Sequence, residues 1–233
     1  MHPSKFPNSL CFLILIVCLI VFACKDEKST SKQSQSNVKV ETISVDKKNF
    51  DHQVILFYGN SLTAGYGLDE NESFPSLIED RIDSLGLKYN VVNAGLSGET
   101  TSGGLKRIDW VMKQKVDIFI LELGANDMLR GLPLEETRKN LTEIITIVKA
   151  KNPNVKIGLC EMMAPPNMGN AYVTAFAKIY QDLSATNDVS LIPFFLEGVA
   201  GQEELLLKDG KHPNAEGQKI VADNIWNSLE KML

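Results

Sequence analysis

"VDIFILELGANDMLRGLPLEETRKNLTEIITIVKAKNPNVKIGLC", residues 116–160, holds two short apolar runs with one longer amphipathic stretch between them. Runs 116–123 and 155–160 are rich in Val, Ile, Leu and Phe and read as strands. Between them, Leu134, Leu141, Ile144, Ile145 and Val148 fall on one helical face, with the charges elsewhere. Working outward, similar strand runs occur at 54–58, 89–93 and 189–194. Helical patterns over roughly 73–86, 102–114, 135–151, 171–187 and 215–231 separate and follow them. Strands apolar on both faces, alternating with helices, predict a parallel sheet covered on both sides. There is no internal repeat. Ligands of such sheets bind outside the carboxyl ends of the strands. The loops to inspect are therefore Gly59-Asn60-Ser61, Ala94 to Thr100, Gly124 to Asp127, and Glu161 to Gly169.

The first 24 residues stand apart. Lys5 precedes Leu10–Ala23, an unbroken apolar run of fourteen residues. A spanning helix needs about 20, so the run suits the core of a signal peptide, residues 1–23. Val21-Phe22-Ala23-Cys24 resembles a bacterial lipobox, in which the cysteine carries lipid; Phe22 is an unusual occupant, and a short uncleaved anchor is the alternative. The expectation is an exported lipoprotein held through Cys24 on the periplasmic or cell-surface side of a membrane. Residues 25–50 are rich in Ser, Lys, Gln and acids and lack apolar periodicity, which predicts a flexible tether. Residues 51–233 form the domain. Cys160 is then the one cysteine left beside the lipidated Cys24. No disulfide is expected within the domain, and a core thiol is expected in "VKIGLC".

Composition removes several function classes. The net charge is −5 with no basic block, so nucleic acid is not an expected partner. Gly65-Tyr66-Gly67 follows the first strand run, but Glu70 occupies the third position of a dinucleotide-binding fingerprint, where a carboxylate repels pyrophosphate. Gly98 to Gly103 has the glycine spacing of a phosphate loop, but Gly104-Leu105 replaces its Lys-Ser/Thr pair. No His pair or Cys cluster has metal-ligand spacing, so no metal and no cofactor are expected.

Nucleophilic catalysis fits better. Ser61 emerges from the first strand run, and a serine hydroxyl needs a base. His52 begins that run, so a strand of roughly 20 Å separates it from Ser61. His212 remains, in the polar loop "KDGKHPNAEG", with Asp209 three residues before it and Gly210 letting the loop bend. Asp209 is placed to fix the imidazole tautomer and to stabilise the imidazolium. Ser61 N–H, Gly98 and Asn126, each just past a different strand run, are candidate donors to an oxyanion. A turn glycine and a helix cap are the alternative readings of the last two. The sequence around Ser61 is not Gly-x-Ser-x-Gly, so the nucleophile elbow of α/β-hydrolases is absent.

"GNSLTAGYG", "NAGLSGET", "GANDMLRG" and "DGKHPN" resemble, in order and spacing, four blocks of the SGNH (GDSL-type) hydrolases. The likeness is closest to the bacterial thioesterase I/lysophospholipase/arylesterase branch and covers about residues 53–232. It implies a flavodoxin-like three-layer α/β/α sandwich with a five-stranded parallel sheet, and a metal-free Ser-Asp-His triad. By block, Ser61 corresponds to the nucleophile, Gly98 and Asn126 to oxyanion donors, and Asp209 with His212 to the remaining pair. Asn60 departs from the usual aspartate. It keeps the shape and the acceptor oxygen but loses the charge, so activity is expected to survive with an altered pH profile.

The implied function is hydrolysis of carboxylic esters or thioesters through an acyl-enzyme, with a small ester or a lysolipid as substrate. A carbohydrate-ester deacetylase on the same fold and an inactive, lipid-tethered binding protein remain open. "CEMMAPPNMGNAY" resembles the substrate-binding loop of the family. Met162, Met163, Pro165 and Met168 are its candidate acyl contacts, with loop packing as the other reading. Trp110 and Trp226 are expected in the packing. Nothing in the sequence fixes an oligomeric state.

Overall fold

A computed structural model describes residues 52–233. The leader, Cys24 and the tether lie outside the described residues. Five strands form one parallel sheet: β1 (Gln53–Gly59), β2 (Tyr89–Asn93), β3 (Ile118–Glu122), β4 (Lys156–Cys160) and β5 (Ser190–Ile192), in the order β2-β1-β3-β4-β5. Every residue of β3, the central strand, is buried, which is why the run at 116–123 is apolar on both faces. Each fully buried Ile, Leu or Phe in it contributes about 1.5–3 kcal/mol of transfer free energy.

Seven helices accompany the sheet among the described residues: α1 (Ser61–Ala64), α2 (Phe74–Ser84), α3 (Thr101–Val111), α4 (Ala125–Leu129), α5 (Leu134–Lys151), α6 (Asn170–Asn187) and α7 (Ala215–Leu229). The face of α5 read from the sequence is the buried one, through Leu141, Ile144, Ile145 and Val148. Helix α3 packs on α5 and α5 on α6, while α2 packs on α7. Right-handed crossovers require this grouping. The chain leaves β1 toward one edge, then returns past it from β2 to β3, so α2 and α3 fall on opposite faces. No helix of the described residues is long and apolar enough to cross a membrane.

Two short helices occupy stretches that the sequence pattern suggests are loops. α1 and α4 begin directly after β1 and β3, so Ser61 and Asn126 stand in first helical turns rather than in irregular loops. Both helices are too short to show apolar periodicity. Trp226 is buried, with the Arg81 guanidinium 5.0 Å from its ring centroid. Trp110 is the correction: it is 69% exposed on α3 and packs against little. Cys160 is buried and unpaired, and burial pushes its thiol pKa well up, as a core thiol requires.

Candidate active site

Strand order reverses around β1, which lies between β2 and β3. The crevice expected at such a switch point lies outside the ends of these strands. β1 ends at Gly59, where any side chain would collide: a Cβ there would lie 2.1 Å from Thr63 Oγ1 and 2.5 Å from Glu122 Oε2. Asn60 then caps α1, its Oδ1 accepting from the Leu62 N–H at 2.9 Å. Ser61 follows as the first residue of that helix, nearly buried but open to the crevice.

The His212 side chain reaches this point from the other end of the chain. Its Nε2 lies 2.8 Å from Ser61 Oγ, across 151 residues of sequence. Its Nδ1 lies 2.6 Å from Asp209 Oδ2. A carboxylate only accepts, so Nδ1 carries the proton and donates to Asp209; Nε2 is then free to accept from the serine hydroxyl. Asp209 Oδ1 accepts from the backbone N–H groups of Lys211 and His212, at 2.9 and 3.1 Å. Chiefly the His212 hydrogen bond, aided by those amides, holds the Asp209 carboxyl down at about 2. The loop is pinned at its base. Leu207 N–H donates to the His212 carbonyl, Leu206 bridges Pro213, and Asn214 caps α7 by accepting from Gly217 N–H at 3.0 Å. The Tyr66 ring lies against the imidazole, centroids 4.6 Å apart, and limits where the ring can swing.

The donors on the far side are held just as firmly. Gly98 has φ +80°, a left-handed conformation that suits glycine whatever the space around it. Arg130 donates to its carbonyl at 2.7 Å. The neighbouring Glu99 is buried and paired with Arg107, which also donates to the Ala94 carbonyl at 2.7 Å and lies over the Tyr58 ring. Asn126 Nδ2 donates one hydrogen to the Glu99 carbonyl at 3.0 Å, which fixes the carboxamide and leaves a second hydrogen for a ligand. Behind it, the buried Asp127 accepts from Thr101 N–H and Oγ1 at 2.8 and 2.5 Å, tying α4 to α3. Gly124, at φ +118°, allows the sharp entry to α4, where a Cβ would meet Tyr180 Oη at 2.0 Å.

Ser61, Gly98, Asn126 and His212 all line one cavity of about 720 Å³. Its other walls are largely apolar and include Leu129, Val173, Phe194, Met162, Met163 and Pro165. Of the loop residues expected to contact an acyl chain, Met168 does not line the cavity; it stands on the surface, in a one-turn 3-10 segment. Met162 is buried against the core and Met163 is exposed at the rim. His52, at the opposite end of β1, takes no part. Four further residues shape the site: Tyr66, Arg130, Thr63 and Glu122. Of these only Glu122 carries a signal in the sequence, a carboxylate directly after the apolar stretch Ile118-Phe119-Ile120-Leu121.

The family model described as "GDSL-like Lipase/Acylhydrolase family" matches residues 57–220. Esterase TesA of Pseudomonas aeruginosa is 36% identical over 182 residues, which are 78% of this chain and 90% of that protein. Thioesterase 1/protease 1/lysophospholipase L1 of Escherichia coli is 37% identical over 180 residues, 77% of this chain and 84% of that protein. A crystal structure of TesA matches with a TM-score of 0.75 at 35% identity, covering 78% of this chain and 100% of that one.

Proposed function

The chain belongs to the GDSL-like lipase/acylhydrolase family, and on that premise we propose which of its side chains perform the chemistry and on what substrate. It is a serine ester hydrolase. The proposed cycle begins with Ser61 Oγ attacking the ester carbonyl carbon as its proton passes to His212 Nε2. Asp209 holds Nδ1–H and balances the imidazolium. The oxyanion takes hydrogen bonds from Ser61 N–H, Gly98 N–H and Asn126 Nδ2, each worth about 3–4 kcal/mol in the transition state. His212 returns its proton to the departing alcohol or thiol. Water then attacks the acyl-enzyme by the same route and frees Ser61.

The observation that carries this reading is the relay Ser61 Oγ–His212 Nε2–Asp209, at 2.8 and 2.6 Å, opening into an apolar cavity. Its size and lining favour an acyl chain of several carbons over an acetyl group. We therefore assign the substrate as a small ester or a lysolipid with an apolar acyl chain. The name of the Escherichia coli relative includes lysophospholipase and thioesterase activities, which accords with this assignment. In a p-nitrophenyl ester series from acetate to dodecanoate, kcat/KM should rise by at least tenfold from two carbons to the middle lengths. Highest activity on acetate, falling with every added carbon, would instead favour a deacetylase. A fluorophosphonate probe should label the protein and leave Ser61→Ala unlabelled.

The exported, lipid-held location is likewise proposed, from "VFAC" at 21–24 and the polar stretch at 25–50. Expressed in its bacterial host, the full chain should fractionate with membranes, and Cys24→Ala should move it to the soluble fraction. Membrane association unchanged by Cys24→Ala would refute lipidation at that residue.

A further inference from the structure

Glu122 ends β3 with its carboxylate buried beneath the turn that presents Ser61. Three donors converge on it from that turn. Asn60 N–H donates to Oε2 at 3.1 Å, Thr63 Oγ1 to Oε2 at 2.8 Å, and Asn60 Nδ2 to Oε1 at 2.6 Å. No lysine, arginine or histidine is salt-bridged to it among the described residues. The titratable groups that feel its charge are Cys160 on β4 and Tyr180 on α6, both kept neutral by burial. A buried carboxylate without a counter-ion is costly, and here hydrogen bonds alone offset that cost.

The arrangement has a direction. A carboxamide fits its surroundings in either of two orientations until a neighbour chooses between them. Glu122 Oε1 accepts Nδ2, so Oδ1 must face the other way, toward Leu62 N–H at 2.9 Å and Ser61 Oγ at 3.4 Å. A proton on Glu122 would enter a site already supplied with three donors, and one of those contacts would have to break. We propose that Glu122 is a positioning residue for hydrolysis: its ionised carboxylate orients the Asn60 carboxamide, whose Oδ1 then holds Leu62 N–H and so fixes the first turn of α1 that carries Ser61 to His212. An aspartate at position 60 would set a second carboxyl against Glu122 and need a shared proton; asparagine supplies the donor outright.

Burial raises the Glu122 pKa to about 7, against the lowering effect of the Thr63 and Asn60 hydrogen bonds. The aligned form is therefore the one above that value, and alignment is lost as pH falls through it. The inference rests on Ser61 being the nucleophile, and the experiment separates the two claims.

The test is hydrolysis of p-nitrophenyl butyrate from pH 5 to 9 by the wild type, Glu122→Gln, Thr63→Val and Ser61→Ala, each checked for folding by circular dichroism. In the wild type, kcat/KM should fall on the acid side as Glu122 takes up a proton near pH 7. Glu122→Gln should lose about tenfold or more in kcat at pH 8 with KM within about twofold, and its acid limb should lack the step that Glu122 contributes near pH 7. Thr63→Val removes one donor to the carboxylate, so its acid limb should move to higher pH. A folded Glu122→Gln with wild-type kcat and a wild-type acid limb would overturn the proposal. Should Glu122→Gln not fold, Thr63→Val decides: an unmoved acid limb overturns it. Activity retained by Ser61→Ala would instead defeat the nucleophile assignment on which the proposal stands.

Discussion

Ser61→Ala is expected to lower kcat on p-nitrophenyl butyrate by about 10⁶-fold, with His212→Ala equally damaging and the double variant no worse than either. The non-additivity follows from the geometry. Ser61 Oγ and His212 Nε2 share one hydrogen at 2.8 Å. Without the hydroxyl the base has nothing to deprotonate, and without the base the hydroxyl is a poor nucleophile at neutral pH. What would survive in each variant is the same: the apolar cavity, and the Gly98 and Asn126 donors proposed for the oxyanion. Such remnants still accelerate hydrolysis about 10³–10⁴-fold over water, so activity should bottom out at that level. KM should change little, because neither group lines the apolar wall that holds the acyl chain. Nor should the fold suffer, since Ser→Ala deletes one oxygen whose hydrogen bonds contribute about 1 kcal/mol. Single-variant losses that multiply in the double variant would mean that the two side chains act in separate steps, and the relay would fail.

Much of this site was legible in the sequence because its parts sit where a parallel sheet puts chemistry. Ser61, Gly98 and Asn126 follow β1, β2 and β3, and the apolar runs that mark those strands are among the least ambiguous signals in the chain. Asp209 and His212 could be paired because a three-residue spacing with an intervening glycine leaves few ways to close the loop. The parts that escaped are those whose role depends on contacts distant in sequence. Glu122 sits in a mostly apolar strand run, and nothing local says that its carboxylate meets Asn60 and Thr63, about sixty residues earlier. Tyr66 lies between two glycines in a loop with no local partner for its ring, which packs on an imidazole 146 positions later. Met168 and Trp110 went the other way. Residue type suggested a buried or ligand-facing role, and the helix or turn each occupies turns it to solvent. Asn60 is the instructive case. The resemblance to family blocks marked it as a departure, but only the Glu122 contact explains what the amide nitrogen does there.

The second large effect belongs to Asp209→Asn, which should lower kcat about 10⁴-fold at neutral pH while leaving KM and the melting temperature near wild type. The loop dictates how the new carboxamide must sit. Lys211 N–H and His212 N–H both point at the position of Oδ1, at 2.9 and 3.1 Å, so the single carbonyl oxygen of asparagine is drawn there. Its NH₂ group then occupies the Oδ2 position, 2.6 Å from His212 Nδ1. Two hydrogens cannot face each other at that distance, so Nδ1 must give up its proton and accept. The neutral imidazole then carries its proton on Nε2, facing Ser61 Oγ, and has no lone pair there to take the serine proton. The wrong tautomer, rather than lost charge alone, accounts for the size of the loss. Stability responds differently. The folded-state pKa of Asp209 lies near 2, below its ordinary value of 3.8, so any stabilisation from its ionised form is fully present above that ordinary value and fades only as pH falls toward 2. Between pH 5 and 9 this group adds no pH dependence to folding, and with a side chain 36% exposed its charge is largely screened by solvent. Steady-state kinetics and thermal melts at pH 7.5 on the same preparation check both halves. A kcat within tenfold of wild type would show that the carboxylate does not set the histidine tautomer, and a collapsed melting temperature would recast Asp209 as a residue of the fold.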